Sequence, residues 1–116
     1  GIITNHMKDK IKGSKIFYFE ANHDLDMLKN GPYDYNLKQR ILGDFGHISN
    51  VTSGNVLSEV VTDKCKKVYL GHLSETNNEE KLAYDEVFGI LNKENLIQYT
   101  NLEVAKRFDN SSITEV

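Results

Sequence analysis

At 116 residues the chain has room for one domain with a modest core and not for two. Apolar residues make up 39% and charged residues 27%, an ordinary globular balance, and no apolar run approaches the roughly 20 residues of a membrane-spanning helix. The net charge of -3 excludes a global electrostatic pull toward nucleic acid, so a nucleic-acid partner would need a local patch or a metal to supply positive charge.

The first residues, Gly1-Ile2-Ile3-Thr4-Asn5-His6, carry neither a signal peptide nor a starting Met and read as the interior of something longer. Residues 4–13, with Met7 and Ile11 four apart, predict a short surface helix ending at Gly13. Lys15-Ile16-Phe17-Tyr18-Phe19-Glu20 is an almost continuous apolar run, the pattern of a parallel strand covered on both faces. It ends at Ala21-Asn22-His23-Asp24. Leu25, Met27 and Leu28 make one helical turn, stopped by Asn30-Gly31-Pro32. A second short helix is expected from Asp34 to Leu42, with Leu37, Ile41 and Leu42 on one face and Lys38, Gln39 and Arg40 on the other.

Ser49 or Asn50 then caps a helix reaching Thr62, with Val56, Leu57, Val60 and Val61 as its buried stripe and a first turn weakened by Thr52 and Gly54. The only cysteine, Cys65, rules out an internal disulfide and fits a reducing compartment, so a cytoplasmic location is expected. Strand Lys67 to Leu70 follows and runs into Gly71-His72-Leu73-Ser74. Thr76 with Glu79 reads as a capping box for the next helix, whose core face is Ala83, Val87, Ile90 and Leu91. The tail from Leu96 to Val116 alternates partly and predicts one or two antiparallel edge strands joined near Asp109-Asn110-Ser111. The whole is an α/β chain with no internal repeat or linker, 1–116 forming a single domain.

Three histidines are expected at one edge of the sheet. A helix of about 12 residues spans roughly 18 Å, and a return strand of about five covers roughly 16 Å. Nearly equal lengths bring His47, just before the helix, back beside His72, just after the strand. His23 follows the C-terminal end of the other parallel strand and reaches the same edge by a right-handed crossover. Neutral imidazole is the commonest zinc ligand and a proton shuttle near neutral pH. The helix start at Ser49-Asn50 offers free backbone N–H groups to a phosphate or carboxylate. Glu20 and Asp24 are placed to orient a histidine. The plainer reading stands beside this one: composition alone favours a surface or loop place for any single histidine, Glu20 as a strand-end charge, Ser49 as a cap, and Cys65 as apolar filler. His-x-His, His-Glu-x-x-His and Cys-x-x-Cys patterns are all absent.

Taken together, Phe19-Glu20-Ala21-Asn22-His23-Asp24, Gly31-Pro32-Tyr33, Asn36 through Leu42, Gly46-His47-Ile48-Ser49-Asn50 and Leu70-Gly71-His72-Leu73-Ser74 form a family pattern. Over residues 1–95 the chain resembles the C-terminal half of metallo-β-lactamase-fold hydrolases, most of all the bacterial WalJ/YycJ-type branch related to ribonuclease Z. The resemblance implies half of an αββα sandwich, one mixed sheet with helices on one face. In the complete protein it implies a pair of divalent metals, zinc or manganese, that activates a water for phosphodiester hydrolysis of DNA.

By that resemblance His72 matches the last metal-ligand histidine, and His47 lies in a rim block whose role is phosphate contact or proton transfer. Ser49, Asn50 and His23 are expected at the substrate phosphate, and Glu20 and Asp24 behind the site. The His-x-His-x-Asp-His pattern is absent, and the Thr-Asp-Thr-Gly block that carries the bridging aspartate would end at Gly1. His72 is then the only usual ligand left, which leaves open that the chain alone holds no metal and is inactive. Its partners would be nucleic acid and either the N-terminal half or a second copy, with no membrane. A non-catalytic self-associating module, and a hydrolase of a small ester, thioester or lactam, remain as alternatives.

Overall fold

A computed structural model describes residues 3–43 and 46–105. Eight elements follow in order: α1 (Asn5–Ile11), β1 (Ile16–Glu20), α2 (Leu25–Asn30), α3 (Tyr35–Leu42), α4 (Asn50–Val60), β2 (Lys67–Gly71), α5 (Glu80–Lys93) and β3 (Asn101–Val104). The strands form a three-stranded sheet in the order β1-β2-β3, parallel at both junctions. This α/β layout is consistent with the partial metallo-β-lactamase-type fold that the resemblance implies, although the described strands are all parallel where a mixed sheet is expected. No described helix is long and apolar enough to cross a membrane.

Short polar side chains start four of the helices. Thr4, Asp24, Asp34 and Ser49 each accept a hydrogen bond from the backbone N–H three residues on, satisfying a donor that the helix leaves free. The capping box at Thr76 does not form. α5 begins at Glu80 after Glu79, which makes no side-chain cap. Ser74 instead takes the Asn77 N–H, and Asn78 takes the Glu79 N–H, so the polar run is spent on a turn before the helix begins.

Register decides the core. Phe17 pairs with Val68 and Val68 with Leu102; Phe19 pairs with Leu70 and Leu70 with Val104. Alternation sends all six to one face, where they meet Leu57, Val60, Val87 and Leu91 from α4 and α5. Gly54, a weak helix former, has a packing reason: a Cβ there would lie 2.6 Å from Ile90 Cδ1 and 3.2 Å from its Cβ. Only a bare backbone lets α4 and α5 approach this closely.

The opposite face carries Ile16, Tyr18, Lys67, Tyr69 and Glu103. The Tyr18 and Tyr69 rings stack at 6.2 Å, and Lys67 Nζ donates to Glu103 at 2.9 Å. Ile16 and Tyr18 are 39% and 44% exposed, so the apolar run of β1 is covered on one face rather than both. The tail also differs from expectation. β3 lies parallel beside β2, because α5 carries the chain back across the helical face before it re-enters the sheet. The turn near Asp109 and the later residues Ile113 and Val116 lie outside the described residues.

Candidate metal and substrate site

The site stands at the C-terminal edge of the parallel strands, the usual place for chemistry in such sheets. Glu20 ends β1 and pairs in register with Gly71, so the residue after Gly71, His72, stands beside it. His72 has φ 59°, a left-handed backbone that a non-glycine residue adopts only when held there. Asn22 holds it: its side-chain amide donates to the His72 carbonyl at 2.8 Å, while its backbone oxygen accepts from Ser74 N at 2.7 Å.

His47 arrives from the other side. A parallel bridge joins His23 to Ser49, with Asn22 N donating to Ile48 O and Asn50 N to His23 O, both at 2.8 Å. That bridge pins the segment before α4 to the segment after β1. The rings of His47 and His72 meet edge to face with centroids 5.0 Å apart. Both reach one carboxylate oxygen: Glu20 Oε2 lies 2.5 Å from His47 Nδ1 and 3.1 Å from His72 Nδ1. An ionised carboxylate only accepts, so the Nδ1 of each ring is the donor in these contacts. Glu20 is 23% exposed, His47 44% and His72 69%, which places the carboxylate behind two outward-reaching imidazoles.

One ligand atom from each of Glu20, His47 and His72 falls within 4.8 Å of the others. One carboxylate oxygen and two imidazole nitrogens are a donor set suited to zinc, and three protein ligands leave a position for water or substrate. Beside His72, the one ligand that the sequence pattern supplies, the fold places two further residues that could ligate.

The remaining expected residues serve inside the fold. His23 is 1% exposed; burial lowers its pKa and keeps the imidazole neutral, and its Nδ1 faces Asn22 Oδ1 at 3.2 Å. It shows substrate no surface. Ser49 Oγ accepts from Thr52 N and donates to Thr52 Oγ1, both at 3.1 Å. Asn50 is buried in a reciprocal amide pair with Asn78, 2.9 Å in each direction, and Asn78 also donates to Ala21 O. Asp24 caps α2 and shares a hydrogen bond with Glu86 rather than with a histidine.

Asn78 and Glu86 escaped the sequence reading, since one sat in a polar run and the other on a helix flank. Burial, followed by the Asp24 carboxyl, pushes Glu86 up to about 7. The folded chain therefore holds a proton there that the unfolded chain releases near pH 4.5. Stability is fully present below that pH and falls as pH rises toward about 7. With solvent screening allowed for, the loss is about 1–2 kcal/mol. Glu86→Gln keeps an acceptor for Asn50 and a donor for Asp24, so it should flatten this slope in urea melts taken from pH 4.5 to 8. An unchanged slope would mean that Glu86 does not hold the proton.

Comparison with known proteins bears on what this edge does. The chain is 43% identical over 91 residues to exodeoxyribonuclease YycJ of Bacillus anthracis, a match covering 78% of the chain and 34% of that protein. It is 39% identical over 84 residues to exodeoxyribonuclease WalJ of Streptococcus pneumoniae, covering 72% of the chain and 31% of the relative. The chain is a YycJ/WalJ relative. It spans about a third of the length of these relatives. No family model and no solved structure matches.

Proposed function

We propose that this chain is the part of a metal-dependent exodeoxyribonuclease that supplies one side of the active-site edge, with His72 holding metal and His47 moving a proton. The observation that carries the reading is the meeting of Glu20, His47 and His72 at the strand ends. The names borne by the YycJ and WalJ relatives point the same way. When bound, zinc or manganese supplies Lewis acidity that makes a nucleophile of water near neutral pH and offsets charge on the phosphoryl group.

The chain's own residues do the rest. Asn22 fixes the His72 loop, and Glu20 fixes the tautomer of both rings. Glu20 also holds His47 at the edge, where the imidazole can carry a proton to the leaving oxygen. A second reading has Glu20, His47 and His72 all ligating one ion, and the 4.8 Å spread of their ligand atoms favours it. The open face bearing Ile16, Tyr18 and Tyr69 is where the N-terminal half, or a second copy, would pair. The buried free thiol of Cys65 supports a cytoplasmic setting.

Metal content decides first. Zinc titrated into the purified chain by calorimetry should bind, and His72→Ala should lose it. DNA hydrolysis should appear when the chain is combined with the N-terminal portion of the Bacillus anthracis relative. Zinc binding that His72→Ala leaves intact would overturn the assignment.

A further inference from the structure

Beside the histidines opens a cleft of about 710 Å³, within the roughly 300–1,000 Å³ of pockets that take small ligands. Its walls come from three segments. α3 presents Leu37, Arg40 and Ile41, which i, i+3, i+4 spacing gathers on one helix face. This differs from the sequence reading, which grouped Leu42 with Leu37 and Ile41: Leu42 lines a separate depression with Lys38, and Arg40 takes its place on the cleft side. Tyr33 enters from the turn before α3, and Glu75 and Thr76 from the loop after β2. His47 lines the cleft as well, so cleft and candidate metal site share a wall.

We propose that this cleft binds one nucleotide of single-stranded DNA next to the scissile bond, with Tyr33 stacking on the base and Arg40 binding a phosphate. The inference rests on the nuclease reading and names how that site holds its substrate. Charge favours one phosphate and not a tract. The chain is acidic overall, and among the described residues Arg40 is the only Lys or Arg lining the cleft and Glu75 the only carboxylate. Affinity therefore has to come largely from an apolar, aromatic contact. Leu37, Ile41 and Tyr33 supply that surface, and an unpaired base has a free face to place on it. Paired bases have theirs covered by stacking, which selects a single strand. The guanidinium gives a planar fork matched to phosphate oxygens.

The test is fluorescence anisotropy of a labelled six-residue oligothymidylate with the full chain in EDTA, so that binding does not require metal. Tyr33→Ala should weaken binding about 5- to 100-fold, and Tyr33→Phe should retain it. Arg40→Gln should weaken binding and reduce the slope of log affinity against log salt by about 0.7, one single-strand phosphate contact. Thermal melts confirm that each variant is folded. Binding unchanged in Tyr33→Ala, or lost equally in Tyr33→Phe, overturns the proposal. So does a wild-type chain that fails to bind the oligonucleotide. If His47→Ala abolishes binding while the Tyr33 and Arg40 variants keep it, the cleft is refuted and the nuclease reading survives. That reading falls separately, on the zinc titration of His72→Ala.

Discussion

Asn78→Ala should lower the stability of the chain by about 2–4 kcal/mol, more than an ordinary polar-to-alanine change. The reason lies in what its amide joins. Nδ2 donates to Ala21 O and Asn50 Oδ1, and Oδ1 accepts from Asn50 Nδ2 and Glu79 N, each at 2.9–3.0 Å. Ala21 directly follows Glu20, and Asn50 heads the helix after His47. One buried amide thus ties together the three segments that meet at the site. Truncation leaves the fully buried Asn50 amide without its reciprocal partner, and leaves the Ala21 carbonyl without this donor; each loss costs about 1–3 kcal/mol. Asn78→Asp provides a control. It keeps the acceptor but turns a carboxylate oxygen toward Asn50 Oδ1 and Ala21 O, so it should destabilise at least as much as alanine above pH 5. Urea denaturation checks both variants, and a loss below 1 kcal/mol for alanine would mean that the pair is not central.

How much of this was legible in the sequence depended on whether the signal was local. Ser49 followed by a stripe of Val56, Leu57 and Val60 announces α4, its start to within a residue and its end two residues long at Thr62, because cap and period are both written within one element. The convergence of His47 and His72 was also legible, since a helix out and a strand back of matched length leave little freedom for their ends. Partners across the fold were not legible. Thr76 looked like a cap, yet Ser74 and Asn78 take the free N–H groups of that run. Ser49, Asn50 and His23 looked substrate-facing because they flank a helix start at the sheet edge. Their side chains turn inward to answer a capping donor, an amide and a buried neighbour that only the folded chain places. Glu20 falls between these cases: its strand-end position was readable, while its sharing of one oxygen between two imidazoles depends on the strand register.

That shared oxygen carries the second large effect. Glu20→Ala should weaken zinc binding about 10- to 100-fold, the usual cost of removing a group that orients metal-ligating histidines. Glu20→Gln should recover part of the loss, since its amide oxygen still accepts from an Nδ1–H although the charge is gone. These magnitudes separate the two assignments of the cluster. If Glu20 is itself a ligand, alanine removes one of three donors and the amide is a poor replacement, so both variants should fall well beyond 100-fold. His47→Ala adds the complementary reading. As a proton carrier it should leave zinc affinity near that of the unsubstituted chain and abolish turnover in the complemented enzyme, whereas as a ligand it should cost affinity as heavily as His72→Ala. Calorimetry on Glu20→Ala, Glu20→Gln, His47→Ala and His72→Ala thus assigns each side chain. The pattern expected here is a large loss at His72, a moderate loss at Glu20 that glutamine partly restores, and little loss at His47. Each Nδ1 is engaged by one oxygen of the Glu20 carboxylate, and that contact orients both rings.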